Sequence, residues 1–264
     1  MSSKCRVVVI VPMFRAALRP YERQSIESLR THLLGNYDVT IVTQQSALSE
    51  IRESPLCNGI RTELFSARFA TYQGFNRLML SHEFFLRFMD YSHMLIFQTD
   101  CLALHGDVSH WIDADIDYVG APWVEKDPAS GGLKILGVGN GGLSLRKIRS
   151  AIEVLRCFAS TKQRLVVAAK FALPTIPVLW HKCFLGRFWP RYHIGSRNED
   201  VFWSQVAPLI APWYRVADYA SALSFAFERE PLLCFEASGR KLPLGLHAFH
   251  RHADDFLSRV AAGR

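Results

Sequence analysis

The 264-residue chain has six cysteines, at positions 5, 57, 101, 157, 183 and 234, and none of them is paired as C-x-x-C. That disfavours a zinc ribbon or a thioredoxin-like site and leads us to expect reduced thiols. There is no unbroken apolar run of about 20 residues, the length a membrane-spanning helix needs. The stretch LVVAAKFALPTIPVLW is interrupted by Lys170 and two prolines. Acidic residues are missing altogether from 154–198, which carries eight lysines or arginines. Glycine is missing from PMFRAALRPYE, which follows the first apolar run and offers only Arg15 and Arg19 as cations. A nucleotidyl-transfer loop after a first strand would be both basic and glycine-rich, so the stretch counts against that chemistry.

What is present suits an ordinary globular α/β protein. Hydrophobic residues make up 49% of the chain and charged residues 21%, enough for a sizeable core and against global disorder. The length allows one large domain or two small ones. No repeat or low-complexity linker divides the chain, so one domain over 1–264 with an insertion at about 156–197 is the simplest expectation. The apolar part of MSSKCRVVVIVPMF is short for a signal peptide and lacks a small-residue cleavage site. It is expected to be a strand, and the protein cytoplasmic. The basic, apolar insertion reads as a buried helix and loop or as a surface resting on an anionic membrane, on the inner face. The net charge of +7 favours anionic partners such as nucleotides, phospholipid or nucleic acid. No helix-turn-helix, zinc or RNP-type motif supports nucleic acid.

The continuous β-branched run RVVVIVPMF predicts a buried parallel strand. YERQSIESLRTHLL spaces Ile26, Leu29 and Leu33 as a helix, and YDVTIVTQ predicts the next strand. Strand, helix and strand in this order imply a right-handed crossover and a parallel sheet. ATYQGFNRLMLSHEFFLRFM predicts one helix with a broad aromatic face, and HMLIFQTDCLAL a buried strand running into a polar tip.

GVGNGGLSLR, residues 137–146, fits G-x-G-x-x-G through Gly137, Gly139 and Gly142. A dinucleotide-binding turn follows the first strand of its unit and has an acid about 20 residues later. Here the glycines lie past the middle of the chain, and the acid-free stretch covers the place of that acid. The glycines are instead expected to let backbone approach backbone or ligand closely.

Carboxylates mark two further positions. Asp100 ends a buried strand, where a charge needs a partner or a cation; it caps a turn or holds a hard cation such as Mg²⁺ or Mn²⁺ bridging to a diphosphate. Glu199 and Asp200 precede the helical pattern VFWSQV. They stabilise a helix start, or one of them faces a cleft as a general base. His247 and His250, three apart in LHAFH, are structural hydrogen bonders or Mn²⁺ ligands.

In order, VVVIVPMF, FNRLML, LIFQTDCL, DYVGAPW, GNGGLSLR, NEDVFW and LHAFH resemble the DUF5672 type of bacterial and fungal proteins, which is similar to GT-A glycosyltransferases. The resemblance covers roughly residues 6–252. It implies a GT-A-like α/β fold, a Rossmann-like nucleotide-binding half fused to an acceptor-binding half around one central, mostly parallel sheet. It also implies transfer of a sugar from a nucleotide-diphosphate sugar to a glycan or lipid-linked hydroxyl, with inversion. Pro12, Phe14 and Gln44 fall where such enzymes hold base and ribose, and Asn76 and Arg77 near the nucleotide or its phosphates. Thr99 and Asp100 fall at the end of the metal-binding D-x-D motif, with one carboxylate remaining. His247 matches the C-terminal metal histidine, with His250 as substitute, for Mn²⁺ or Mg²⁺. Glu199 and Asp200 match the motif whose aspartate is the catalytic base. Gly141 and Gly142 would floor the donor sugar, and Trp123 would stack on an acceptor sugar. Competing readings are a binding module with a decayed site and a sugar-1-phosphate nucleotidyltransferase.

Overall fold

The computed structural model describes residues 6–159 and 198–262. The expected basic insertion therefore lies almost wholly outside the described residues. Within them, no helix is long and apolar enough to cross a membrane.

The apolar run at the start forms β1 (Val7–Pro12), buried through Val11. It pairs in parallel with β2 (Asp38–Thr43) on one side and β4 (His93–Phe97) on the other, and β2 pairs in parallel with β3 (Arg61–Leu64). Beyond β4 one strand is reversed. β9 (Leu143–Lys147) runs antiparallel to β4 and to β6 (Tyr118–Gly120). The order β3-β2-β1-β4-β9-β6 is the central, mostly parallel sheet that the sequence predicts. A small second sheet, β10 (Ala226–Phe227), β11 (Gly245–Leu246) and β5 (Leu102–Ala103), stands beside it. A hairpin of β7 (Pro122–Lys126) and β8 (Leu133–Val138) projects from the chain between β6 and β9.

Alternation along β1 divides the core into two. Val7, Val9 and Val11 face Ile26 and Leu29 of the helix Pro20–His32. Val8 and Ile10 face Phe84, Phe85, Phe88 and Trp203. Each such buried side chain contributes roughly 1.5–3 kcal/mol, so both faces of β1 are strongly specified.

One expectation is corrected. The stretch predicted as a single helix is two, Tyr72–Leu78 and His82–Arg87. The Ser81 hydroxyl accepts from the Phe84 N–H at 3.1 Å, capping a new helix where the first would have continued. The break turns the Phe84–Phe85 pair under the sheet, where Phe85 meets Trp203 edge-on at 5.4 Å.

Candidate active site

In an open α/β sheet ligands gather at the carboxyl ends of the parallel strands. β1, β2 and β4 end here at Pro12, Thr43 and Phe97. Gln44 Nε2 donates to the Phe14 carbonyl at 3.0 Å, so the ends of β1 and β2 are tied together. β9 runs the other way and delivers its beginning to the same edge. The Gln98 N–H donates to the Gly142 carbonyl at 2.9 Å, which fixes the turn before β9 against the tip after β4.

Gly141 and Gly142 each receive a side chain. A Cβ on Gly142 would overlap Nε2 of His247, and one on Gly141 would overlap the carboxylate of Glu199, with Asp200 Cβ just beyond it at 3.9 Å. Only glycine leaves room for both approaches. Two adjacent residues thus place the C-terminal histidine on one side of a turn and the paired acids on the other.

On the histidine side, His247 Nε2 stands 3.4 Å from Asp100 Oδ1 and Nδ1 stands 3.3 Å from Glu228 Oε1. Burial disfavours the imidazolium, but the two carboxylates outweigh it and push His247 up to about 9. In turn, burial opposes ionisation of Asp100 and Glu228, yet contact with His247 brings both below their ordinary values. Among the described residues, Asp100, Cys101 and His247 are brought together with donor atoms all within 4.8 Å of one another. Two neighbouring ligands on an ion with bonds of about 2.1 Å stand roughly 3 Å apart, so the Asp100–His247 pair fits one divalent cation. The Cys101 thiol fits less well. It donates to the Gly142 carbonyl at 3.2 Å, and complete burial raises it well above its ordinary value, keeping it protonated. An oxygen–nitrogen pair without thiolate suits Mn²⁺ or Mg²⁺ sharing its other positions with phosphate and water. His250 instead stacks on Tyr21, ring centroids 4.2 Å apart.

On the acid side the two carboxylates part ways. Glu199 is 2% exposed and makes a two-pronged ion pair with Arg146, itself fully buried, at 2.8 and 2.9 Å. The guanidinium also lies over Tyr118 and Trp203, 5.5 and 6.0 Å from their ring centres. The Glu199 N–H donates to Asn76 Oδ1 at 2.7 Å, and Asn76 Nδ2 donates to the Tyr72 carbonyl at 2.9 Å. Asn76 is therefore spent inside the protein, holding the start of the helical turn. Among the described residues, Asp200 has no such cation partner. Its Oδ1 accepts the Val201 N–H at 2.8 Å. Burial, then the charge of Glu199, push Asp200 up to about 7, against the pull of that N–H and of Arg146.

Three further residues complete the site's frame, and the sequence reading did not single them out. Asn140 Oδ1 accepts the N–H groups of Gly142 and Leu143 at 2.8 and 3.0 Å. Its Nδ2 donates to Glu228 at 2.9 Å and lies 2.9 Å from His247 Nδ1. Glu228 follows β10, and Arg146 lies in β9. Asn140 stood inside the GNGG stretch, and Glu228 ended the apolar SFAFE run, a signal of the kind that drew attention to Asp100. Nothing local in the sequence paired Arg146 with an acid 53 residues later. Thr99 donates to Glu22 at 3.1 Å, and Glu22 binds Arg15 at 2.6 Å, which sets a half-exposed guanidinium beside the tip that carries Asp100. The Trp123 indole lies against Gly137 and Gly139 on the β7–β8 hairpin.

The family model described as a protein of unknown function (DUF5672) matches residues 59–247. No functionally curated protein matches the chain. Among solved structures, a glycosyltransferase involved in the glycosylation of the major capsid of PBCV-1 is similar at 12% identity and a TM-score of 0.42, over 92% of each chain. Mouse xyloside xylosyltransferase 1, in its apo form, is similar at 9% identity and a TM-score of 0.48, over 92% of this chain and 96% of its own.

Proposed function

The chain belongs to the DUF5672 family, and from that premise and the geometry of the site we propose that it is a nucleotide-sugar-dependent glycosyltransferase of the GT-A type. The observation that carries the reading is the Gly141–Gly142 turn. It packs Glu199, with Asp200 next to it, on one side and His247, 3.4 Å from Asp100, on the other, and the Asp200 carboxyl is pushed up to about 7. A base and a cation near one reacting centre suit displacement of a diphosphate by a hydroxyl.

In this reading Pro12, Phe14 and Gln44 hold the base and ribose at the ends of β1 and β2. Arg77 and Arg15 face the phosphates, where guanidinium suits bidentate bonding. Asp100 and His247 would hold a divalent cation, which would supply charge neutralisation to the leaving diphosphate. The acceptor hydroxyl, on a glycan or a lipid-linked sugar, attacks the anomeric carbon. The bond from that carbon to the diphosphate oxygen breaks, and the hydroxyl proton passes to Asp200. Attack from the side opposite the diphosphate inverts the configuration. Glu199 is held by its ion pair with Arg146 and raises the proton affinity of Asp200 beside it. Trp123 offers an aromatic face to the acceptor sugar.

Incubation with a panel of nucleotide sugars and Mn²⁺ tests this directly, by release of free nucleoside diphosphate. Turnover is expected for at least one donor and is expected to vanish in Asp200→Asn. Absence of binding to every nucleoside diphosphate would sink the proposal. Binding without turnover, unchanged in Asp200→Asn, would mark a binding module instead.

A further inference from the structure

The imidazole of His247 is held at both nitrogens, and the two partners of Nδ1 make opposite demands. Glu228 Oε1, at 3.3 Å, is an acceptor and calls for a proton on Nδ1. Asn140 Nδ2, at 2.9 Å, is a donor and calls for a lone pair there. The Asn140 amide cannot be turned round to relieve this, because its Oδ1 already accepts two backbone N–H groups, from Gly142 and Leu143. A neutral imidazole with its lone pair on Nδ1 carries its proton on Nε2, directed at Asp100, and has nothing to offer a cation there. When a cation displaces the Nε2 proton of the charged ring and the proton on Nδ1 stays donated to Glu228, Nε2 presents its lone pair on the Asp100 side.

We propose that Glu228 is the positioning residue that selects the cation-binding form of His247, against Asn140, which favours the masked form. This rests on the reading of Asp100 and His247 as the cation pair. The arrangement is a carboxylate–histidine–cation relay, in which the outer carboxylate orients the ring and raises its basicity. Glu228 is suited to the task because its other oxygen accepts from Asn140 at 2.9 Å, so the carboxylate is held in register with the ring it serves. Gly142 leaves the space in which Nε2 sits.

The test is titration of the whole chain with Mn²⁺ alone, followed by electron paramagnetic resonance, with no donor present. Wild type is expected to bind, and His247→Ala to lose binding. Glu228→Gln, which keeps the side chain's size and an acceptor for Asn140, is expected to weaken Mn²⁺ by about tenfold or more. Equal affinity in Glu228→Gln and wild type would overturn the role of Glu228 while leaving the glycosyltransferase reading standing. No Mn²⁺ binding by wild type would overturn the cation pair and this role with it. A second measurement does not depend on a variant that folds. The ¹⁵N resonances of His247 in wild type with no cation, at a pH high enough that the ring is neutral, are expected to show Nδ1 protonated and Nε2 bare. Nδ1 found bare in that state would overturn the proposal, because Asn140 and not Glu228 would then set the tautomer.

Discussion

Asp200 owes its chemistry to what lies around it. A carboxylate whose proton affinity is raised to about 7 in the folded chain, above its ordinary value, binds its proton more tightly folded than unfolded. Folding stability therefore falls as pH rises from about 4 to about 7. Two outcomes follow from the same shift. On the proposed function, the rate of sugar transfer should climb with pH, reach half its plateau near 7 and level off above about 8, as the base ionises. Asp200→Asn should abolish that rate, yet raise the midpoint of thermal unfolding at pH 8 relative to wild type. A melting scan beside a pH–rate profile checks both. Gly142→Ala makes a different demand, since its Cβ would overlap His247 Nε2. It is expected to displace the ring and weaken Mn²⁺ about tenfold or more, with the central sheet intact by circular dichroism. At this scale the sequence showed Asp100, Asp200, His247 and the paired glycines, because charged or Cβ-less residues at element ends stand out. Asn140 and Glu228 act through space on His247, from 107 and 19 residues away along the chain, and residue type alone does not report such a contact.

At the scale of elements, capping decided what periodicity left open. The aromatic spacing of residues 70–89 reads through as one helix, but Ser81 offers the backbone an alternative and the helix restarts. Ser81→Ala should destabilise the fold by about 1 kcal/mol, measurable by urea denaturation. The helical pattern after Asp200 was legible, but its irregular winding was not. An α turn over Glu199–Val201 passes into a π turn over Phe202–Val206 and back to an α turn at Ala207–Ile210. The wider turn seats Trp203 wholly inside, where its indole N–H donates to the Met79 carbonyl at 3.2 Å. β9 carries the matching strain of burial. Removing its guanidinium leaves the Glu199 charge unpaired in the core, so Arg146→Met should cost about 3–5 kcal/mol in the same denaturation experiment. Nothing in the alternation of LSLRK distinguishes a buried arginine from a solvated one. The ion pair was invisible until Glu199 was placed.

For the molecule as a whole, the parallel sheet was legible and the reversal was not. β-branched runs and helical spacers imply parallel strands by themselves. The direction of β9 depends on what lies between it and β4, which is neither a single crossover helix nor a tight turn. Since the described site is built from β1, β2, β4, β9 and the chain after β10, a ligand bound there should tie these parts together. A nucleoside diphosphate with Mn²⁺ at a hundredfold excess over its dissociation constant should stabilise the folded state by about 2.7 kcal/mol. A thermal-shift assay with and without the metal reads this, and the gain should be smaller in Asp100→Ala.

The reversal of β9 has an evolutionary side. Phe97 pairs with Leu143, and the Gln98 N–H is bonded to Gly142, so the chain leaves the edge that carries Asp100 and returns to it at nearly one point. Everything between is a detour whose two ends are clamped. Its outermost part, the bend 127–132 between β7 and β8, is tied mainly to itself, through Asp127, Ser130 and Gly132. Residues could be added or removed there without moving Asp100 relative to Gly142. Selection could thus change what the hairpin presents while the arrangement beneath it is inherited unchanged.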